Sequence, residues 1–429
     1  MHSIAQSARG LAVSFAIAMT VGDASAQESQ LDSARQAVHA NANDPLAAVA
    51  LGRALRRAGR YAESITELRR GAATLAGHQA DAAVKLHWEL ARAFIAQRDY
   101  PHATMECRVA SAQTGGAAAG HVCTAEAFLL WRRAIDAVTE LQQAGRTYES
   151  KVAEGRALAF QLKDAEAEAA FRDAMTLKAD AAEPHLQLGR FWVDTAKADA
   201  GIVELKKAVE LDPSDPDALY ELGRSLPVGA DAVTALEKAT RERPNHLEAW
   251  VRLAEVDIAL GKNPEARAAA TAALHINPQD ASPHVVVGRV ALAEGKADDA
   301  MTEARTALGV MASSAPAKLL MADAYATKGD IDLALEQYQA AYGLDRLNPD
   351  ILVHAALACI KASRLTSARA YATTATRDFP TWGPGWAALG DGLAADGDAS
   401  GARTAYDKAL AGRGPIDAAA IRTKMAALH

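Results

Sequence analysis

Aromatic residues make up only 5% of this 429-residue chain, too few to fill one core of that size. That shortage argues against a single compact globule and for many small cores in series. A basic excess is missing as well. Lysine and arginine number 46 against 53 acidic residues, a net charge of -7, so nothing domain-wide could release counterions from a phosphate backbone, and a nucleic-acid partner is not expected. Cysteine is scarce, with Cys107, Cys123 and Cys359. Either Cys107 and Cys123 pair, closing a short loop worth roughly 3 kcal/mol, or each is a small buried apolar residue. Cys359 has no neighbour in sequence and is expected as a buried free thiol.

Catalytic motifs are lacking too. The sequence holds no HExxH, no GxxxxGK[ST] and no GxSxG. "GDGLAA" (Gly390 to Ala395) resembles a dinucleotide fingerprint but does not follow a strand. "DGDASG" (Asp396 to Gly401) has the acid spacing of a calcium loop without its terminal glutamate. His121 stands beside Cys123, but no second pair follows at ligand spacing. No enzyme activity, cofactor or metal is therefore expected.

Residues 1 to 26 differ from the rest. Arg9 precedes an apolar run, "LAVSFAIAMTV" (Leu11 to Val21), too short to span a bilayer. Ala24-Ser25-Ala26 then makes a small-residue cleavage site before Gln27. This reads as a signal peptide, giving a periplasmic or secreted bacterial protein whose mature chain has no transmembrane segment.

What is abundant is repetition. A glycine or alanine recurs at Gly155, Gly189, Gly223, Ala254, Gly288, Ala322, Ala356 and Gly390. The spacing is constant except between Gly223 and Ala254, where the step is three residues shorter. After each come an alanine, a bulky residue and another alanine, as in Ala167, Phe171 and Ala174. Prolines close units at Pro213, Pro244, Pro278 and Pro380. A mid-helix glycine costs about 1 kcal/mol relative to alanine. Close approach of two antiparallel helices, with the bulky residue in the groove between them, offsets that cost.

This order of residues, at a period of about 34 residues, resembles the tetratricopeptide repeat. "PGWAALGDGLAADGDASGARTAYDKAL" (Pro384 to Leu410) carries its signature nearly whole. Units extend back through "ELARAFIAQRDYPHATMECRVA" (Glu89 to Ala110) and "VALGRALRRAGRYAESITELRRG" (Val49 to Gly71). The resemblance implies an all-α solenoid, a right-handed superhelix of about ten or eleven helix pairs over residues 44 to 414. Capping helices are expected within 27 to 43 and 415 to 429. A degenerate unit is expected at about 121 to 150, after a flexible connection "QTGGAAAG" (Gln113 to Gly120). Pro227, in a unit that has lost three residues, should end its first helix early.

An arginine follows the small-residue slot at Arg53, Arg92, Arg156, Arg190, Arg224 and Arg289. In the resembling family the helix carrying it lines a concave groove and touches bound peptide. Four residues earlier stand Val49, Trp88, Val152, Leu186, Tyr220 and Val285, on the same helical face. An arginine ladder beside an apolar stripe is thus expected, turning acidic later with Glu255, Asp323 and Asp391. The arginines either contact a ligand or pair with Glu149, Glu183 and Asp217, seven residues upstream of Arg156, Arg190 and Arg224; exposed pairs of that kind are worth roughly 0 to 1 kcal/mol. The ligand reading makes the chain a non-enzymatic scaffold of the bacterial envelope whose partner is a protein segment with acidic and apolar residues, or an anionic polysaccharide. The alternative is a structural subunit of an envelope assembly, such as exopolysaccharide export or secretion, that uses its convex face.

Overall fold

The structure, a computed structural model, describes residues 31–57, 60–75, 80–113, 116–195 and 197–428. The expected signal peptide lies outside these residues. Helices follow one another throughout, and the only extended pairing among the described residues is a single bridge between Trp382 and Arg413. The chain divides into two compact units after Ser225.

The first unit opens with α1 (31–40). Five helix pairs follow: α2 (Pro45–Arg57) and α3 (Tyr61–Ala73), α4 (Ala80–Ala96) and α5 (Tyr100–Ser111), α6 (Ala117–Leu130) and α7 (Ala134–Gln143), α8 (Tyr148–Phe160) and α9 (Asp164–Leu177), and α10 (Ala182–Asp194) and α11 (Ala198–Leu211); α12 (Pro216–Ser225) ends the unit. The second unit begins with α13 (Ala230–Glu242). It continues with α14 (Leu247–Ala259) and α15 (Asn263–Ile276), α16 (Ala281–Ala293) and α17 (Ala297–Val310), α18 (Ala315–Lys328) and α19 (Ile331–Leu344), α20 (Pro349–Lys361) and α21 (Leu365–Asp378), and α22 (Gly383–Ala395) and α23 (Ala399–Ala411), and closes with α24 (Ala418–Ala426). The fold is an all-α solenoid in which each helix packs on the next, from α2 to α12 in the first unit and from α13 to α24 in the second. Within each unit the first helices of successive pairs also pack on each other, α2 on α4 on α6 on α8 on α10 on α12 and α14 on α16 on α18 on α20 on α22. Second helices are not joined in this way to a comparable extent. The first helices therefore make the tighter, inner layer of each unit.

The small-residue slot is where each pair closes. A Cβ on Gly155 would lie 2.5 Å from the Phe171 ring, one on Gly390 2.5 Å from Tyr406, and one on Gly52 2.4 Å from Leu68. In each case the bulky residue follows the slot at the same interval along the chain. After Gly288 that place holds Ala304, and Leu320 from the next first helix fills the space instead, 2.4 Å from the same imagined atom. After Ala91 it holds Cys107, which is joined in a disulfide to Cys123, so α5 and α6 are tied covalently. Cys359 is a buried free thiol.

A second device recurs that the sequence reading did not find. His87, His121, His185 and His284, on first helices, meet Glu106, Glu140, Glu204 and Glu303 on the second helix of the same pair, with Nδ1–oxygen distances of 2.7, 2.9, 2.7 and 2.7 Å. Every glutamate follows its histidine at one constant separation in sequence. His121 is thus one of four clasps. No group of three His, Cys, Asp or Glu residues suited to a metal occurs among the described residues.

Two expectations change. Residues 117–120 of the supposed flexible connection are the first turn of α6, because Gly120 lets α6 approach Ser111 so closely that a Cβ would fall 2.0 Å from its hydroxyl. The register of the degenerate unit also becomes clear: its slot is Ala125, fully buried, one full repeat length after Ala91. At the ends, Leu31 of α1 is buried with Leu51 and Leu55, and Ile421 of α24 is buried with Tyr406. α12 stops at Ser225, two residues before Pro227. "DGDASG" is a helix start: Asp398 accepts from the Gly401 amide, and Asp396 pairs with Arg369.

Substitution at the slot gives a direct check. Alanine ordinarily improves a helical glycine by about 1 kcal/mol, but Gly155→Ala and Gly390→Ala should each lower the unfolding free energy by about 1–2 kcal/mol through overpacking. Gly309→Ala in α17, with nothing within 4 Å of the added atom, should raise it by up to about 1 kcal/mol. Urea denaturation followed by circular dichroism reads all three.

Candidate partner-binding groove

The arginine place lies one residue after each slot, on the inner layer of first helices. Arg53 of α2 reaches across to Glu89 of α4 with an Nε–oxygen distance of 2.9 Å, joined there by Arg56 at 3.2 Å and Arg92 at 3.8 Å. Glu89 is only 2% exposed. Arg190 of α10 meets Glu221 of α12 at 3.5 Å, and Arg224 holds the same carboxylate at 2.7 Å while also meeting Asp194 at 3.3 Å. In both cases the acid stands two residues before its own slot, so it faces the residue one after the slot on the preceding first helix.

In the second unit the place one after the slot turns acidic at several helices, and its partners vary. Asp323 of α18 accepts from Tyr338 at 2.6 Å and meets His354 of α20, again two before a slot, at 3.0 Å. Burial, and then the charge and hydrogen bond of Asp323, push the Tyr338 hydroxyl up. Asp391 accepts from Tyr406 at 2.6 Å and from Lys424 at 2.8 Å. Glu255 pairs with Arg252 at 3.2 Å and with Arg289 of the next first helix at 3.0 Å.

The ladder is therefore mostly an inter-helix lock, and its partners differ from those expected. Glu149 and Glu183, upstream of Arg156 and Arg190, meet no arginine among the described residues; Glu183 accepts from Gln187 instead, at 2.9 Å. The acids that do the pairing are Glu89, Glu221 and Glu255. The apolar stripe is corrected too. Leu186 is buried, as are Val49, Val152 and Val285, because the position four before the arginine turns inward between neighbouring helices. Trp88 stays half-exposed with the Arg92 guanidinium 5.4 Å above its ring, and Tyr220 is also half-exposed.

Between α4 and α10 no ladder charge forms an ion pair with another first helix among the described residues. The places two before the slot on α6, α8 and α10 are Cys123, Ala153 and Gln187, none of them charged. Arg156 has no ion pair among the described residues and is half-buried. Arg92 is left with its distant contact to Glu89 and its seat on Trp88. Between them, in the arginine place of α6, stands Glu126, half-buried and without a side-chain hydrogen bond among the described residues. Burial raises its pKa above the usual carboxylate range, opposed by the charges of Arg156 and Arg92 and reinforced by Glu183. On the N-terminal turn of α8, burial and the charges of Glu183, Glu149 and Asp180 push the Tyr148 hydroxyl up to about 12. The inner face of α4, α6 and α8 thus presents two guanidiniums, a carboxyl short of a donor and an indole.

A tetratricopeptide repeat family model matches residues 229–285 and a second matches residues 319–381. No curated protein matches the chain. Among solved structures, yeast Tom70 is 15% identical over 90% of this chain and 95% of its own, with a TM-score of 0.46. TTC0263, a thermophilic TPR protein of Thermus thermophilus, is 25% identical over 42% of this chain and all (100%) of its own, with a TM-score of 0.38. A tetratricopeptide repeat protein from Parabacteroides merdae ATCC 43184 is 15% identical over 57% and 97%, with a TM-score of 0.45. The fold rests on the helix pairs themselves and on the two repeat matches.

Locked and open arginines should respond differently to removal. Arg224→Ala leaves the buried Glu221 with one guanidinium at 3.5 Å, and should cost about 1–3 kcal/mol in urea denaturation. Arg156→Ala should stay within about 0.5 kcal/mol of the parent. The Asp323–His354 lock adds a pH dependence. Burial lowers the His354 pKa, but the hydrogen bond and charge of Asp323 outweigh it, with Asp350 assisting and Arg289 opposing, so it lies above the ordinary 6.5. Its stabilisation is fully present below 6.5 and is lost as pH rises through the folded value. His354→Gln should flatten that part of the urea-midpoint profile.

Proposed function

Because the chain is a tetratricopeptide repeat protein, a protein-interaction scaffold by its fold, we propose that the inner face of α4, α6 and α8 is where it holds its partner. The observation that carries this reading is the interruption of the lock. Elsewhere each ladder charge has an ion pair to another helix, and between α4 and α10 Arg92, Glu126 and Arg156 have none among the described residues, so they are left to meet something else.

The partner fitting this face is an extended or helical protein segment. An acidic residue on it would satisfy Arg156, whose planar fork suits a carboxylate. A donor or a basic residue would satisfy Glu126, and an apolar side chain would cover Trp88. A preformed face lowers the ordering cost of binding, so many modest contacts suffice. The chemistry needs no bond making, and the chain acts as a non-enzymatic adaptor. The signal-like residues 1 to 26 support a role in the bacterial envelope, periplasmic or secreted. The Cys107–Cys123 disulfide supports the same reading, since such bonds persist in oxidising compartments. No helix among the described residues is long and apolar enough to cross a membrane.

Crosslinking in intact cells, with identification of the captured neighbour, tests the reading. Arg156→Glu and Glu126→Lys should each reduce capture roughly ten-fold or more with an unchanged helical spectrum. Capture at the parental level by both variants would overturn it and favour the convex face.

A further inference from the structure

Seven residues after each slot the chain turns from first to second helix, and the second unit mostly places glycine there: Gly261, Gly295, Gly329 and Gly397 have φ of 69°, 77°, 90° and 83°, with the small Ser363 as the exception at 58°. Three turns of the first unit differ. The same place holds Arg98 between α4 and α5, Arg132 between α6 and α7, and Leu162 between α8 and α9, at φ of 60°, 59° and 59°. A side chain in this left-handed conformation carries strain that glycine avoids. Three consecutive turns accept it, and so project three long side chains from their tips.

Large apolar residues gather around those tips. Leu162 is 86% exposed, Ile135 75%, Phe160 56%, Leu130 49% and Trp131 37%. The turns form one edge: Gln161 donates to the Ala134 carbonyl at 3.1 Å, and Tyr100 stacks on Trp131 with ring centroids 6.4 Å apart. A contiguous exposed apolar edge marks an interaction site. Basic groups are interleaved with it. Arg98 and Arg132 find no acid within ion-pair distance among the described residues, while Asp136 is taken by Arg133 at 2.8 Å and Asp99 by His102 at 2.8 Å. Lys163 lies 3.9 Å from Glu166, and Asp164 opens α9, where the helix's own amide dipoles engage it.

We propose that this edge of the first unit docks on a lipid bilayer carrying anionic headgroups. Leu162 and Ile135 stand out furthest from this edge, and a protein partner would need a matching cavity for each. A bilayer interface receives such tips without one: leucine, isoleucine and phenylalanine enter the acyl boundary, the indole sits at headgroup level and the guanidiniums meet phosphates. The surface is distinct from the inner face of α4, α6 and α8, so the chain would hold its partner beside a membrane.

Co-sedimentation of the full chain with phosphatidylcholine vesicles, with and without phosphatidylglycerol, tests this. The parent should bind the anionic vesicles more tightly, with binding falling as salt rises. Arg132→Gly should weaken it about five-fold, and Leu162→Gly and Ile135→Ser roughly ten-fold each. The two glycine variants relieve a left-handed side chain, so their urea midpoints should equal or exceed the parent's, separating lost binding from lost folding. Variants that bind like the parent would overturn the proposal. So would a parent that ignores both vesicle types, or one whose self-association the same variants abolish, which would make a second copy the occupant.

Discussion

Everything in this molecule depends on how closely two helices of a pair can approach at one small residue. With glycine at 155 or 390 the ring of Phe171 or Tyr406 lies directly on the neighbouring backbone, where a single added carbon would collide. That contact fixes the depth at which the second helix sits. It thereby sets the rotation of the first helix, and so which side chains reach the inner face. The residue one after the slot points across the layer, and the residue two before the slot on the next first helix points back. The ion-pair lock is a consequence of the packing contact.

Most of the ladder is consequently structural. A guanidinium at 53 or 190 neutralises a glutamate that the packing has drawn out of water, and a buried carboxylate without that partner would be costly. The same place can be acidic: at Asp323 and Asp391 a tyrosine of the same pair and a basic residue from the next helix complete it, and at Glu255 two arginines do. A repeat architecture tolerates such exchanges because each interface is local and answers only to its neighbours. Function can then occupy the interfaces where the lock lapses. Around the degenerate unit of α6 and α7 the covalent tie between Cys107 and Cys123 stands at the bulky-residue place, and the charges of Arg92, Glu126 and Arg156 are left open.

The first unit thus carries two departures from the repeat, on two different surfaces. On its inner face the lock is missing; along one edge the turn glycines are missing. Both include α6 and α7. Along that edge stand a tryptophan, an isoleucine and a leucine in positions that expose them.

The all-α solenoid, its repeat length and the purpose of the mid-helix glycines were legible in the chain, because they depend on contacts within one period, and a period repeats its own evidence. The arginine ladder was legible as a pattern but not as a mechanism. Its partners lie on the next first helix, roughly one repeat further along the chain, Glu221 for Arg190 and Glu89 for Arg53, and only the tertiary structure decided which acid faces which arginine. The histidine–glutamate clasps were written in the chain at a constant separation, a signal that went unused because a single histidine such as His121 carries no meaning alone. Leu186 was misplaced because residues four apart share a helical face only approximately, and the neighbouring helix claimed its side of that face. Sequence by itself determined what repeats; the tertiary structure decided which repeats leave a charge or an apolar side chain unanswered, since that depends on the neighbour across the layer.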